Sequence, residues 1–128
     1  MISIKDKNWI QNAEKILTLH NSYGRYKMIA LVVKGNKVLA IGKNKYLCRQ
    51  AGSTLHRDFP RGVHAEMDAL QSNCEKGTMY LVGETRYGTK ISSKPCTFCQ
   101  KLLANTKLKC IIYYEDGILQ KVKPSEIG

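Results

Sequence analysis

The chain has 128 residues, a length typical of one domain, and we expect residues 1–128 to form a single domain. Hydrophobic residues make up 43% of the chain and charged residues 24%, an ordinary globular composition that excludes a disordered chain. Lys and Arg number 21 against 10 Asp and Glu, which gives a formal net charge of +11. Such an excess fits either an anionic partner or a surface kept soluble by its charge.

Several protein classes are excluded by simple patterns. No apolar run approaches the ~18 residues that span a bilayer, so we expect no membrane partner. The first residues carry no apolar signal core, and five cysteines is an odd number, so we expect a reducing, cytoplasmic location rather than a disulfide framework. A Cys-x-x-Cys pair in that setting indicates metal or redox chemistry.

The first half of the chain predicts one helix and a hairpin. Apolar residues recur at helical spacing over residues 6–21, with His20 at the edge of that face. A continuous apolar run over residues 28–33 and a second run over 37–42 flank a short turn, which predicts two antiparallel strands. Residues 45–62 are polar and irregular, which is typical of a loop.

The second half alternates helices and strands. Residues 63–74 form a helical pattern with one larger apolar stripe and a second stripe made of Ala65 and Ala69. The remaining predicted elements are a strand over 78–82, a helix over 95–105, a strand over 109–114 and a strand over 118–122. Asp116-Gly117 is a strong hairpin signal, so the last two strands should be antiparallel.

This order of elements predicts an α/β fold with one mixed five-stranded sheet and helices on its faces. Helix-bearing crossovers join strands 2 to 3 and 3 to 4, and such connections favour parallel neighbouring strands.

Two short segments carry the residues for chemistry: His64-Ala65-Glu66 and Pro95-Cys96-Thr97-Phe98-Cys99. Each lies at the start of a predicted helix, and together they supply one imidazole, two thiolates and a carboxylate. Catalytic zinc usually keeps three protein ligands and an open position for water, whose pKa the ion lowers toward neutrality. A carboxylate beside that water could take up a proton and later deliver it. A buried or redox-active cysteine pair and an ordinary core histidine are the plainer alternatives.

The pattern His-Ala-Glu followed about thirty residues later by Pro-Cys-x-x-Cys resembles the zinc-dependent cytidine and deoxycytidylate deaminase superfamily. The resemblance extends over residues 6–122 and implies a three-layer α/β/α domain. It implies that His64, Cys96 and Cys99 bind Zn²⁺, and that Glu66 relays protons to the ring nitrogen and to departing ammonia. Relatives are often oligomers, so it also implies a homo-oligomer.

The resemblance further implies substrate contacts by Ala65, whose backbone amide would meet a ring carbonyl, and by Asn44, after the second strand. Two features of this chain point to different relatives. At the position of His64, many free-nucleoside cytidine deaminases have Cys. A His at this position is more similar to the deoxycytidylate, nucleic-acid and tRNA deaminases. The short end after Asp116, however, is similar to the free-nucleoside enzymes, because it leaves no room for a further helical crossover.

Other residues suggest further contacts without a motif behind them. Phe59 could stack on a base, and three basic side chains could meet phosphates: Arg57, Arg61 and Lys94. The alternative for Arg57, Phe59 and Arg61 is that they belong to a solvated loop without substrate contacts. Cys48 and His56 could form a second metal site, although no third ligand lies near them in the sequence. Cys74 and Cys110 fall in apolar patterns and are interpreted as structural.

The excess charge is uneven along the chain. Between Lys15 and Glu66 the one acidic residue is Asp58, whereas the basic residues of this interval are Arg25, Lys27, Lys34, Lys37, Lys43, Lys45, Arg49, Arg57 and Arg61. We therefore expect a basic surface beside the mouth of the site, which favours an anionic substrate.

Three functions remain open from the sequence. The leading hypothesis is a hydrolase acting on the C–N bond of a cyclic amidine, which converts cytosine to uracil in a free nucleoside or nucleotide. The second keeps this chemistry but places the cytosine, or an adenine, in single-stranded DNA or RNA. The third is a zinc-stabilised binding domain without catalysis.

Overall fold

The computed structural model describes residues 2–20, 26–44, 64–85 and 87–127. The helices in these ranges are α1 (Ile4–Leu19), α2 (Ala65–Ala69) and α3 (Thr97–Ala104). The strands are β1 (Tyr26–Lys34), β2 (Lys37–Lys43), β3 (Thr78–Thr85), β4 (Cys110–Glu115) and β5 (Ile118–Val122), followed by a short 3-10 helix (Pro124–Glu126). No helix in the described ranges is long and apolar enough to cross a membrane.

Helix α1 begins two residues before its predicted start because Ser3 and Asp6 cap it reciprocally. The Ser3 hydroxyl accepts from the Asp6 backbone N–H at 3.0 Å, and Asp6 Oδ2 accepts from the Ser3 N–H at 3.1 Å. These bonds satisfy amide groups that a helix start otherwise leaves without partners. The predicted apolar face is buried, with Ile10, Ala13 and Leu17 in the core.

The sheet has the strand order β2-β1-β3-β4-β5. β1 pairs antiparallel with β2 and β3, β3 pairs parallel with β4, and β4 pairs antiparallel with β5, as predicted for the last hairpin. The expected adjacency of strands 2 and 3 is wrong: they run in the same direction, but β1 lies between them. Residues 29–33 of β1 are all buried. Between β2 and β3, this apolar strand has a hydrogen-bonded neighbour on each side and is covered on both faces.

The two faces of the sheet carry separate cores, which confirms the three-layer α/β/α architecture. Alternate side chains of β1, such as Ile29 and Leu31, pack with Tyr80 under α1. The intervening Ala30 and Val32 face the layer formed by α2, α3 and the residue after the 3-10 helix.

Helix α2 is shorter than the predicted span of residues 63–74, of which Val63 lies outside the described residues. The helix ends at Ala69, and a turn follows in which the Asn73 side chain accepts from the Glu75 N–H at 3.2 Å. Such local bonding by Asn competes with helix continuation. The small stripe, Ala65 and Ala69, is the buried face, while Met67 is only partly buried.

Candidate metal and proton-transfer site

The two predicted segments meet at one end of the sheet, on the α2 and α3 side. His64 directly precedes α2, Cys96 caps α3, and Cys99 lies in the first turn of α3. His64 Nδ1 lies 3.6 Å from Cys96 Sγ and 3.3 Å from Cys99 Sγ, across 32 and 35 residues of sequence. In the part of the chain that the structure describes, this is the one group of three or more His, Cys, Asp or Glu side chains that could hold a metal ion.

The spacing of these donor atoms fits zinc. In a tetrahedral site with Zn–S of about 2.3 Å and Zn–N of about 2.0 Å, sulfur and nitrogen ligands lie about 3.5 Å apart. The measured separations of 3.6 and 3.3 Å bracket that value. One imidazole and two sulfurs also match the soft donor set that zinc prefers, and three donors leave a position for water.

The turn that presents the two cysteines is held by hydrogen bonds on both sides. The Gln100 backbone N–H donates to the Cys96 carbonyl, and its side-chain amide donates to the Pro95 carbonyl, both at 2.8 Å. Upstream, the fully buried Ser93 hydroxyl donates to the Leu81 carbonyl and accepts from the Tyr114 N–H, both at 2.8 Å. Ser93 thus fastens the segment before Cys96 to β3 and β4.

Cys99 is fully buried, and burial is the main cause that raises the pKa of its thiol well above the ordinary range. The charge of Glu66 and the neighbouring Cys96 raise it further. A bound cation would have the opposite effect, because thiol ligands lose their protons on coordination. The arrangement is therefore one in which metal binding releases protons.

Glu66 lies in α2 with only 4% of its surface exposed. Burial raises the pKa of this carboxyl, although its own backbone N–H, the His64 charge and a hydrogen bond with Cys99 act in the lowering direction. A carboxyl whose pKa is raised above its ordinary value is suited to exchange protons with a reacting group. Glu66 interacts with both His64 and Cys99, so its carboxyl could exchange protons directly beside these two side chains.

A cavity of about 260 Å³ opens beside the cluster. It is lined by Tyr26, Met28, Asn44, His64, Ala65, Glu66, Ile91, Ser92, Lys94 and Cys96. The cavity that Glu66 lines is therefore also lined by three predicted substrate contacts: Asn44, Ala65 and Lys94. Four lining residues carry no sequence signal of this role: Tyr26, Met28, Ile91 and Ser92. Tyr26 and Met28 belong to a strand and Ile91 and Ser92 to a loop, and neither pattern shows whether a residue borders a cavity.

Asn44 is buried and bonded on several sides. Its Oδ1 accepts from the Met28 N–H at 2.8 Å and lies 3.0 Å from His20 Nε2, while its Nδ2 donates to the Tyr26 carbonyl at 3.2 Å. His20, predicted at the edge of the first helix, is buried against Asn44. Among the described residues, no hydrogen bond uses the second N–H of Nδ2.

Lys94 lines the cavity but has a carboxylate partner, Glu115, at 3.1 Å. This bond raises the pKa of Lys94, so the side chain stays charged. A phosphate at Lys94 would share the ammonium group with Glu115.

The predicted basic surface near the site is only partly present in the described residues. Lys27 is paired with Glu84 at 2.9 Å, and Lys34 and Lys37 lie at the opposite end of β1 and β2 from the cavity. Lys27 and Lys43 are the described basic residues of the hairpin that lie at the site end. The expectation that the hairpin lysines border the site is therefore wrong for Lys34 and Lys37.

Several predicted residues fall outside the described ranges: Cys48, His56, Arg57, Phe59 and Arg61. Their roles stay predictions. Of the two tyrosines that end β4, Tyr113 is buried in the core on the α2 side. Tyr114 borders a separate groove of about 690 Å³ beside α1, so neither tyrosine lines the cavity.

Comparison with known proteins gives a consistent result. The sequence model of the MafB19-like deaminase family matches residues 4–126. No curated protein sequence matches the chain. Among solved structures, the chain is similar to a dCMP deaminase of cyanophage S-TIM5 in apo form, with 24% identity over 92% of this chain and 90% of that one and a TM-score of 0.58.

Two more structures resemble it. A cytidine deaminase from Burkholderia pseudomallei shares 17% identity over 94% of each chain, with a TM-score of 0.65. The phage enzyme in complex with dCMP and dUMP shares 20% identity over 87% of this chain and 81% of that one, with a TM-score of 0.56. At these identities the structural likeness establishes the fold.

Proposed function

The chain belongs to the MafB19-like deaminase family, and from this premise we propose that it is a zinc-dependent hydrolase that converts cytosine to uracil in a free nucleoside or nucleotide. The observation that carries the proposal is the meeting of His64, Cys96 and Cys99 within 4.8 Å, with the buried Glu66 beside them. This combination supplies a metal position and a proton carrier at one cavity.

His64, Cys96 and Cys99 are the residues that would hold the ion. A bound Zn²⁺ supplies a lowered pKa for water at the site, and hence a nucleophile at neutral pH. The remaining chemistry belongs to the chain: Glu66 accepts a proton from water, delivers it to the ring nitrogen next to the amino-bearing carbon, and supports the departure of ammonia. The balance is cytosine plus water giving uracil plus ammonia.

The base would be held by the cavity walls. Asn44 offers its remaining N–H, and Ala65, at the start of α2, offers a backbone amide, because the first amides of a helix have no partners inside it. Lys94 is proposed to contact a phosphate, and Phe59, Arg57 and Arg61 are proposed to complete the substrate contacts. A structural relative is in complex with dCMP and dUMP, which supports a cytosine nucleotide as the substrate class.

A substrate panel tests this proposal directly. The zinc-loaded protein is incubated with cytidine, deoxycytidine and dCMP, and the loss of cytosine absorbance is followed with product analysis. Turnover of at least one of these compounds is expected. Failure with all three, in protein with a full complement of zinc, would reject the free-substrate proposal.

The first mutational prediction concerns Glu66. Glu66→Gln should leave zinc content unchanged, because the three donors remain, and should lower turnover about 10²-fold or more, the usual scale for loss of a general acid–base group. Activity and metal content are measured on the same sample, with the exposed Glu75→Gln as a matched control. Unchanged activity in Glu66→Gln would remove Glu66 from the mechanism, whereas a zinc-loaded wild type without any activity would favour a zinc-stabilised binding domain.

The second candidate function, deamination of cytosine or adenine in single-stranded DNA or RNA, is favoured by the net charge of +11. Affinity for single strands should then fall steeply with salt, because phosphate contacts release counterions. Binding that does not change between low and moderate salt would argue against it.

Two further proposals concern location and assembly: the odd number of cysteines supports a reducing compartment, and the resemblance to the superfamily supports an oligomer. The chain is proposed to act in the cytoplasm and to form a homo-oligomer. Size-exclusion chromatography with light scattering tests the second point, and a monomer at all concentrations would contradict it.

A further inference from the structure

A second concave surface lies at the end of the sheet where β1 ends and β3 and β4 begin. Its main hollow, about 340 Å³, is lined by five lysines from five separate segments of the chain. These lysines, called here the lysine surface, are Lys5, Lys34, Lys76, Lys109 and Lys121. All five residues are exposed.

The charge of this surface is largely uncompensated. Asp6 lies in the same hollow, but its oxygens already accept from the Tyr80 hydroxyl at 2.7 Å, from Lys121 at 3.0 Å and from the Ser3 N–H at 3.1 Å. Among the described residues no carboxylate forms an ion pair with the other four lysines. Four of the five lysines that line the hollow therefore have no carboxylate partner among the described residues, and their positive charge favours an anion there.

The basic character continues beyond this hollow. A neighbouring hollow of about 310 Å³ shares Lys34 and Lys76 and carries one acidic residue, Glu75. Lys37 faces Lys34 across the β1–β2 turn. The lysines are thus spread along a surface instead of converging on one point, which suits a linear polyanion better than a single compact anion.

Groups for selective recognition are few in this hollow. The Ser3 hydroxyl caps α1, and the Tyr80 hydroxyl donates to Asp6. The Thr78 hydroxyl lies 3.5 Å from Cys110 Sγ. The remaining side-chain donors are flexible ammonium groups, which bind phosphate as point charges and do not read a base or a sugar.

The lysine surface is far from the candidate site. β1 runs from Tyr26, which lines the cavity beside Glu66, to Lys34 over nine residues. At about 3.3 Å per residue this separation is about 26 Å, so one nucleotide in the cavity cannot also occupy the lysine surface.

We propose that the lysine surface binds the phosphate backbone of a nucleic-acid strand, as a contact separate from the deaminase site. Neutralisation of backbone phosphates by lysines releases counterions, and this binding depends little on sequence. The inference does not depend on the proposed reaction, since it would hold for either class of cytosine substrate.

The test uses a fluorescein-labelled oligothymidylate, which contains no cytosine and so reports binding without turnover. Anisotropy titrations over a range of salt compare wild type with the double variant Lys34→Gln, Lys109→Gln. The matched control is Lys15→Gln, Lys101→Gln, which removes the same charge from exposed positions on α1 and α3. Circular dichroism establishes that both variants are folded.

The expected result is tighter binding by wild type and the control than by the Lys34 and Lys109 variant. Loss of two phosphate contacts should reduce the slope of log affinity against log salt by about 1.4. Glu66→Gln should bind like wild type. Equal slopes in the two double variants, or no binding by wild type at low salt, would overturn the proposal. Competition by thymidine triphosphate at the same molar concentration as the strand would overturn it in favour of a free-nucleotide site.

Discussion

At the scale of single residues, Asn44 lines the cavity and also holds the backbone around it. Its side chain bonds the Met28 N–H, the Tyr26 carbonyl and His20, so three segments of the chain meet at one amide. A residue of this kind affects both the stability of the protein and the shape of its site.

Asn44→Ala is therefore expected to lower the free energy of unfolding by about 1–3 kcal/mol, because backbone groups near the cavity lose their partners. Deaminase activity should fall in the same variant. Urea unfolding and turnover are measured in parallel, with the exposed Asn73→Ala as a comparison. Full stability together with lost activity would mean that Asn44 acts on the substrate alone.

The meeting of the three donor side chains could be predicted from the sequence better than the contacts that support it. His64, Cys96 and Cys99 belong to short motifs at helix starts, where local spacing limits the direction of each side chain. Ser93 and His20 carry no such signal, because their partners lie 12 and more residues away and are known only from the strand pairing. Tertiary contacts of single polar residues are therefore the part that local patterns leave open.

At the scale of elements, α2 is positioned by its close approach to β2. A Cβ atom on Gly42 would lie 2.1 Å from the Ala65 carbonyl oxygen and 2.6 Å from the Ala69 nitrogen. In addition, Asp68 accepts from the Lys43 N–H at 3.0 Å. The start of α2, which carries Glu66 and follows His64, therefore rests directly on the strand.

Gly42→Ala should displace α2, because the conflict is with backbone atoms that cannot rotate away. We expect a loss of stability of at least about 1–3 kcal/mol, the range for overpacked cores, together with weaker zinc retention. Thermal unfolding and competition with a chelator measure the two effects, and Ile41→Ala at the neighbouring exposed position is the control. Wild-type stability and metal affinity in Gly42→Ala would contradict the close approach.

The element boundaries show which patterns were informative. Every helix and strand predicted within the described ranges is present, and β5 has the predicted bounds. The strand order was not readable, since a hairpin can receive the next strand on either edge. The length of α2 was overestimated because an apolar stripe continues after Ala69, where the Asn73 turn replaces the helix.

At the scale of the whole molecule, Asp6 joins three elements. It caps α1, accepts from Tyr80 on β3 and pairs with Lys121 on β5. Burial alone would raise the pKa of this carboxyl, but the hydrogen bonds from Tyr80, Ser3 and Lys121 outweigh burial and lower it from 3.8 to about 2.

This shift predicts a dependence of stability on pH. Because the pKa of Asp6 is lower in the folded state, its contribution is complete above about pH 4 and is lost as the pH falls toward 2. A shift of this size corresponds to about 2 kcal/mol. Asp6→Asn should therefore be less stable than wild type at pH 7, with a gap that narrows on acidification. Urea titrations measure the gap, Asp116→Asn is the control, and a constant gap would contradict the assignment.

The distribution of charge also belongs to this scale. The sequence indicated a basic interval before Glu66, and the structure separates Lys34 and Lys37 from the site by the length of β1. The two strands of a hairpin run in opposite directions, so residues that are distant in the sequence can lie at the same end. The distribution of charge along the sequence therefore does not show which end of the hairpin a side chain occupies.

The donor set of the cluster has a consequence for folding itself. His64 and Cys99 are 35 residues apart in the sequence, and the chain between them includes β3, which pairs with β1 and β4, and the start of α3. An ion held by both segments would act as a cross-link that closes a loop of this length. In the unfolded chain, such closure costs about 4 kcal/mol of configurational entropy, so the same contact that prepares a reaction would also favour the folded state.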